Sequence, residues 1–525
     1  MTKPNGLMTK PNGLRSEMTP SQTTPSAHLL VGDLAARGRD DLGDNVAIID
    51  GAETVSYAQL AERAYRLAGR LIDQGLRAGD RLALIAPNSV AVFETVFAAS
   101  LVGVTVVPMN LRLRPEDMRF QADDADVRFA VIDPAFEALA REAGIAERPH
   151  WIAGEPLRPA DTATDLARVD AHRPGADSVL IQLYTSGTTG RSKGCLLTQR
   201  GWLSQVAGGA RLLGLTASDV VTTPLPFFHV AGLHLALSTL GAGATLAIAA
   251  RADVGSLWDV IDEHRVTVAQ TIGGYRAFLR SRDVAGSSLR GIFGGNIGPA
   301  DVLDALPPAF EVWTGYGATE LCGYAAGHNR ASFTGKSGTM GTVMSSFLAR
   351  AVDDEGRPVP TGQVGELLMR GPSVTTGYWN LAEATAETLR DGWLHTGDLV
   401  QFDDAGVMRF VDRLKDMVKP GGENVYCVEV EEALAGHPAV RECAVIGVAD
   451  KRWGEAVKAV VATRSAVTPE QLDEWCLSRL APFKRPRWYE FVDALPRNAL
   501  NKVVKTQLRA AHDPARAARL PERAS

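Results

Sequence analysis

The sequence predicts an α/β protein built as two unequal domains, and three observations carry that reading. At 525 residues the chain exceeds what one ordinary hydrophobic core organises. Between residues 46 and 410, short β-branched runs alternate with longer stretches of helical periodicity, the pattern of sheets flanked by helices. Beyond residues 413–416 the pattern changes to a compact α+β arrangement. The expected division is a disordered tail over 1–27, a large N-terminal domain over 28–414 and a small C-terminal domain over 415–525.

The tail writes MTKPNGL twice, at 1–7 and 8–14, then runs through Pro, Ser and Thr to about residue 26. It lacks the apolar core of a signal peptide, and a duplicated tail or misplaced start explains it better than a functional repeat. YAQLAERAYRLAGRLIDQG (57–75) has helical periodicity and ends on a glycine. RLALIAP (81–87) and TVVPM (105–109) read as strands. The longest apolar stretch, 91–109, contains Glu94 and runs into Pro108, so a buried helix passing into a strand fits it better than a membrane span. DSVLIQLYTSGTTG (177–190) is a strand entering a glycine loop, and 243–250 and 267–281 continue the alternation. GWLHTGDLVQFDDAGVMRFVDRLKD (392–416) reads as hairpin strands with turns at Asp391-Gly392 and Ala405-Gly406. A helix at 428–437, strands at 442–450 and 456–464 and a helix at 468–480 follow; the end from about residue 511 is polar and expected to fray. No period of 20–50 residues indicates a repeat array.

Composition narrows the function classes. Hydrophobic residues are 45% and charged residues 22%, the profile of a soluble globular protein. A net charge of −6 and a pI near 6.0 provide no general basic field for nucleic acid. The five cysteines show no CxxC spacing, which argues against structural zinc and a disulfide framework and fits a reducing cytosol.

The chemistry concentrates in a few segments. YTSGTTGRSKG (184–194) follows a strand and precedes the amphipathic stretch 198–214. Gly187 and Gly190 let backbone N–H groups converge on an anion, Thr185, Ser186, Thr188 and Thr189 add hydroxyls, and Lys193 adds charge. A flexible Gly/Ser linker is the alternative. The P-loop pattern needs a hydroxyl residue after its lysine, and here Gly194 stands there. In GYGATE (315–320), Glu320 beside phosphates requires an intervening cation, which points to Mg²⁺; a solvated surface acid is the alternative. Asp398, in HTGD, suits two ribose hydroxyls or a turn cap. His229, in PFFHVAG, is by itself a hydrogen-bonded core residue. Lys502, in PRNALNKVVK, is locally unremarkable.

Taken in order, YTSGTTGRSKG, PLPFFHVAG, YGATE, GWLHTGD, DRLKDMVKPGGENVYCVEVE and PRNALNKVVK resemble the motifs of the ANL adenylate-forming enzymes over about residues 40–510. That family includes acyl- and aryl-CoA synthetases, peptide-synthetase adenylation domains and luciferases. The resemblance implies a large adenylate-forming domain with a small β-barrel, and a small mobile lid turning about a hinge at Lys415. It implies that the 184–194 loop holds the β- and γ-phosphates of ATP, and a loop that must release pyrophosphate is expected to be mobile when empty. Thr319 would contact the α-phosphate, Tyr316 would lie beside the adenine, Glu320 would hold Mg²⁺, and Asp398 would take the ribose with Arg413 close by. Lys502 would steady the charge that develops as a carboxylate attacks the α-phosphate. Asn501 replaces the usual glycine before it and is the next-best residue for a positive φ angle; Lys505 is the weaker candidate for the same task. After lid rotation Gly421 and Gly422 would admit the pantetheine arm of coenzyme A, while Cys427 stands where the family commonly has proline.

By the same resemblance, the acid pocket comprises His229, Val230, Gly232, Tyr275, Gly294, Gly295, Asn296, Gly315 and Gly317, with His229 at the carboxylate. Asn296 places an amide where a methyl is common, favouring an aryl or short acyl acid with a second polar group, unless it bonds neighbouring backbone. The expected activity is an AMP-forming carboxylic acid–CoA ligase using ATP, Mg²⁺ and CoA. The expected setting is the cytoplasm, with no nucleic acid and no membrane span; a homodimer is left open. Loading of a carrier protein, an amine or inorganic nucleophile in place of the thiol, and a catalytically dead binding protein are the rival readings. Lys502→Ala is expected to lower adenylation about a hundredfold or more yet spare thioester formation from a supplied acyl-adenylate. Equal loss in the two half-reactions overturns the assignment.

Overall fold

The computed structural model describes residues 29–155, 167–185, 192–249, 251, 253–271, 275–294, 303, 306–332, 338–497 and 503–520. The expected tail lies outside them. Three sheets organise the described residues. A six-stranded sheet runs His150–Ile152, Val127–Ile132, Arg81–Ile85, Thr105–Pro108, Val179–Thr185, Lys193–Thr198. Its ladders are parallel except the last, where Val179–Thr185 and Lys193–Thr198 pair antiparallel.

A second, 14-stranded sheet changes character along its length. Val46–Asp50, Thr245–Ile248, Val220–Thr223, Val268–Gln270, Gly291–Gly294 and Glu311–Ala318 pair in parallel. From Glu311–Ala318 to Gly323–His328 the pairing becomes antiparallel and stays so through Thr339–Val343, Val407–Arg413, Trp393–Phe402, Val364–Arg370 and Leu348–Val352. These antiparallel strands stand where the resemblance places the small barrel, and they are continuous with the parallel part.

One core joins the two sheets. Ile48 and Leu246 of the long sheet and Leu82, Val106 and Leu180 of the six-stranded sheet belong to the same buried cluster. Tyr57–Asp73 enters it with Leu60, Ala64, Leu67 and Leu71, and starts on a capping box made by Ser56 and Gln59. Val90–Val102 is apolar all round and is buried all round, the outcome expected of a helix with no polar face. Its one acid, Glu94, reaches Arg63 at 3.2 Å, and Gly103 ends it at φ 75°. Among the described residues no helix is long and apolar enough to cross a membrane.

The hairpin turns fall where the sequence places them. Asp391 and Gly392 take φ 51° and 76° between paired Arg390 and Trp393, the two positive angles of a type I′ turn. Asp403 Oδ1 accepts from the N–H groups of Ala405 and Val407, and Gly406 sits at φ 73°.

Beyond residue 415 lies a four-stranded sheet of Val440–Asp450, Gly454–Thr463, Trp488–Phe491 and Ala518–Arg519, with the helices Cys427–Ala435 and Pro469–Leu477 contributing to its core. The end of the chain does not fray from 511. Ala518–Arg519 pairs with Trp488–Tyr489, Leu520 donates its N–H to the Arg487 carbonyl at 3.0 Å, and its side chain is buried. Edge pairing and one apolar anchor outweigh the polar composition around them.

Gly341 has φ 83°, and a Cβ there would lie 2.1 Å from the backbone of Gly327. Gly341→Ala is therefore expected to cost about 3 kcal/mol or more, read as a lowered denaturation midpoint.

Candidate active site

Thr185 and Lys193 pair at the ends of two antiparallel strands, so the segment between them joins the two strands of a hairpin. Ser186, Gly187, Thr188, Thr189 and Gly190 lie outside the described residues. The sequence reading leaves residues 195–197, between the loop and the helical stretch 198–214, unassigned; the strand Lys193–Thr198 occupies them. The helix Gln199–Leu213 begins after it, with the Thr198 hydroxyl accepting from Gly201 N–H. The cue for that strand is the apolar CLL after Gly194. Both roots of the loop are tied to the helix Pro115–Asp124. Tyr184 Oη donates to Asp124 Oδ2 at 2.6 Å, and Gln121 Nε2 donates to Ser192 Oγ at 3.3 Å. Gly194 is needed after the lysine because a Cβ would lie 2.5 Å from the Gln182 amide.

On its other side the strand Lys193–Thr198 is bonded to residues 376–379. Leu196 N–H reaches the Gly377 carbonyl, Thr376 N–H reaches the Leu196 carbonyl, and Trp379 N–H reaches the Gly194 carbonyl at 2.8 Å. Trp379 is held in turn by its indole N–H on the Asp124 carbonyl and by the Arg81 guanidinium 3.4 Å over its ring. This stitching brings Tyr378 between two residues named from the sequence. Its ring lies 5.1 Å from Lys193 Nζ, and its hydroxyl donates to Glu320 Oε1 at 2.9 Å.

Glu320 sits in the single turn Thr319–Leu321 that ends Glu311–Ala318. Three contacts fix that turn. Cys322 N–H bonds the Thr319 carbonyl at 2.9 Å, Thr375 N–H bonds the Glu320 carbonyl at 2.8 Å, and Gln205 Nε2 bonds the Leu321 carbonyl at 2.7 Å. His234 Nε2 donates to the Gln205 carbonyl at 3.0 Å and supports it from behind. Sequence reasoning missed Tyr378, Gln205 and His234. Tyr378 lies in GYWN, between the segments that drew attention, and His234 shares the apolar run of His229. Thr319 and Glu320 are half-buried. Among the described residues no three His, Cys, Asp or Glu side chains form a cation cage. A lone hard carboxylate close to a phosphate-loop lysine fits Mg²⁺, which binds chiefly through phosphate and water with one or two protein carboxylates.

A second group comes together on the same strand. Asp398, on Trp393–Phe402, is 8% exposed and faces Arg413 across the ladder. Its Oδ1 is 3.4 Å from Arg413 Nε, and its Oδ2 accepts from Tyr316 Oη at 2.6 Å. Burial, then the neighbouring Asp398 charge, pushes the Tyr316 phenol well up, so it stays protonated and donates. A carboxylate can accept from two hydroxyls, which suits a diol.

The pocket residues are distributed. His229 precedes the helix Val230–Gly241, and its Nδ1 accepts from Ala231 N–H at 3.2 Å, which leaves the proton on Nε2. Val230 is buried in the large core. Gly232 allows the helix to approach the preceding turn, where a Cβ would be 2.5 Å from the Pro226 carbonyl oxygen. Gly315 and Gly317 serve the contact with Gly323–His328, where Gly317 would place a Cβ 2.2 Å from the Gly323 oxygen. Gly294 ends its strand opposite Thr314, and Tyr275 begins the helix Tyr275–Ser281. Gly295, Asn296, Asn501 and Lys502 lie outside the described residues.

At the junction, Lys415 is exposed in the turn after Arg413. Lys505 is committed elsewhere: it is largely buried and pairs with Glu431 at 2.8 Å. Burial opposes its charge, but Glu431 and its neighbours outweigh that and raise its pKa. Gly421, at φ 62°, gives its N–H to the Trp453 carbonyl and leaves room for the indole, while Gly422 closes the short turn Pro420–Gly422. Cys427 Sγ donates to the Asp416 carbonyl at 3.0 Å, a bond that proline could not make.

Comparison with known proteins agrees with this geometry. Residues 36–379 match the family model "AMP-binding enzyme" and residues 429–502 match "AMP-binding enzyme C-terminal domain". A feruloyl-CoA synthase of Amycolatopsis sp. is 37% identical over 479 residues, 88% of this chain and 95% of that protein. The o-succinylbenzoate CoA synthetase of Bacillus subtilis, solved with its acyl-adenylate intermediate, is 29% identical with a TM-score of 0.80, covering 91% of this chain and 98% of that one. The same synthetase with ATP and a magnesium ion is 29% identical with a TM-score of 0.79, covering 91% and 99%.

The buried support of the Glu320 turn has a pH signature. Burial pushes His234 down to about 4 from an ordinary 6.5. The unfolded chain therefore binds one more proton than the folded one between those values, and stability contributed by neutral His234 is lost as pH falls through that window. At pH 5 the loss is about 2 kcal/mol. In His234→Gln the fall in denaturation midpoint between pH 7 and pH 5 is expected to shrink accordingly.

Proposed function

Since this chain belongs to the AMP-binding enzyme family, within the ANL adenylate-forming superfamily, we propose that it joins a substituted aryl acid to coenzyme A through the site built around Lys193, Glu320 and Asp398. The chain is an AMP-forming acid–CoA ligase. One observation carries the assignment of residues: a single strand end holds Tyr316 against Asp398 and, in the turn after it, Glu320 beside the Lys193–Tyr378 contact. An adenosine end and a phosphate end are thereby served by one rigid element.

In the first half-reaction a carboxylate oxygen attacks the α-phosphorus of ATP, and the bond to the bridging oxygen of the β-phosphate breaks to release pyrophosphate. Asp398 accepts the ribose hydroxyls while Arg413 balances its charge, and Tyr316 flanks the base. Lys193 and the hydroxyls of Thr185, Ser186, Thr188 and Thr189, with the amides around Gly187 and Gly190, hold the departing phosphates. Thr319 bonds the α-phosphate, and Lys502 offsets the charge that accumulates there. Magnesium, held by Glu320, supplies further neutralisation of the phosphates. His229, with its proton on Nε2, donates to the carboxylate of the acid.

In the second half-reaction the CoA thiol, as thiolate, attacks the acyl carbonyl and AMP leaves. Lid rotation at Lys415 would exchange Lys502 for the segment of Gly421 and Gly422 at the site. Feruloyl and 2-succinylbenzoyl are both aryl groups with a further oxygen function, which supports the reading of Asn296 as a partner for a second polar group. The cysteines of this chain are free thiols, which supports a reducing, cytoplasmic setting.

A panel of aryl, alicyclic and short aliphatic acids, incubated with ATP, Mg²⁺ and CoA, is expected to yield AMP and pyrophosphate in equal amounts. Aryl acids with a hydroxyl or carbonyl substituent should exceed unsubstituted ones in kcat/KM by roughly tenfold. Release of ADP and phosphate, or activity only with an added carrier protein, overturns the proposal.

A further inference from the structure

Lys193 and Glu320 carry opposite charges and reach the same end of the site from segments far apart in the chain. Left to themselves in an empty site, an ammonium and a carboxylate so placed would pair, and each would then be spent on the other. Tyr378 is the side chain that touches both. It offers the ammonium the negative face of its ring, at 5.1 Å, and offers the carboxylate its hydroxyl, at 2.9 Å.

We propose that Tyr378 is a positioning residue that holds Lys193 and Glu320 apart, so that the cation stays available to phosphate and the carboxylate to the metal. The proposal rests on the roles given to Lys193 and Glu320 above. Further features support it. The backbone of Tyr378 is fastened to the strand that carries Lys193, through the Cys195–Tyr378 bridge and the flanking bonds to Gly194 and Leu196. Its own N–H is taken by Thr385 Oγ1 at 2.9 Å, which fixes the backbone that carries the ring. Among the described residues the hydrogen bond from Tyr378 takes one lone pair of Oε1, and a carboxylate has further lone pairs to offer a metal.

The test is calorimetric titration with ATP, once with a chelator and once with saturating Mg²⁺. Tyr378→Phe keeps the ring and removes the hydroxyl. It should leave metal-free ATP affinity within about twofold and reduce the tightening caused by Mg²⁺ by about fivefold or more. Tyr378→Leu removes the ring as well, and should weaken metal-free ATP binding by about threefold or more, because Glu320 then captures Lys193. The diagnostic variant is Tyr378→Leu with Glu320→Gln. If separation of charges is the role of Tyr378, Glu320→Gln improves metal-free affinity several-fold more in the Tyr378→Leu background than in the wild-type background, an excess that a packing defect and simple relief of phosphate–carboxylate repulsion would not give. No excess in the Tyr378→Leu background, or a Tyr378→Phe enzyme with unchanged or greater Mg²⁺ enhancement, overturns the proposal. Glu320→Gln alone separates the two levels: full Mg²⁺ enhancement in that variant overturns the role of Glu320 itself, whatever the Tyr378 variants do.

Discussion

The candidate active site depends on how closely two strands approach where the long sheet turns from parallel to antiparallel. Gly317 and Gly323 meet with so little space that a Cβ on the first would intrude to 2.2 Å of the oxygen of the second, and Gly323 itself lies at φ 143°. Gly315 is nearly as tight, 2.9 Å from the Ala326 oxygen by the same measure. No side chain fits at this crossing, and a methyl group would have to move backbone rather than a flexible side chain. Tyr316, Thr319 and Glu320 are carried on or next to these residues, so the spacing between Tyr316 and the Glu320 turn starts from this backbone contact.

Around this crossing, support is layered. Gln205 and His234 hold the Glu320 turn from inside the large core, and Thr375 holds it from the segment that also borders the phosphate loop. The phosphate loop is tied at both roots to one helix, Pro115–Asp124. The segment between these roots thus springs from a fixed frame. The same logic, rigid elements presenting a few polar groups, recurs at Asp398, which meets Tyr316 from one strand and Arg413 from another.

Much of this was legible in the sequence because it is local. Helical period, the Asp391-Gly392 turn and the order of the glycine-rich and charged segments all depend on near neighbours. The misses share the opposite property. Tyr378 meets Glu320 across 58 positions, and Gln205 meets Leu321 across 116, so nothing near either residue announces its partner. The strand Lys193–Thr198 exists because two other segments border it, and its glycine at position 194 disguises it. The chain end reads as solvated from its arginines and alanines, yet pairing with Trp488–Tyr489 and burial of Leu520 decide its fate. Cys427 in place of proline had no local explanation; the thiol bond to Asp416 supplies one.

The strand Val407–Arg413 ends on the residue that faces Asp398, and the turn that follows is closed at once. Asp416 N–H returns to the Arg413 carbonyl, and the Asp416 carboxylate is clasped by Arg509 at 2.7 Å. Because side chains alternate along a strand, adding or removing one residue before Arg413 would turn its guanidinium to the opposite face. The chain length up to Arg413 is therefore a fixed gauge, whereas the short linkage after it belongs to the joint. For anyone recombining large and small portions of such ligases, the splice belongs after Arg413, because Asp416 and the Arg509 that clasps it then travel together.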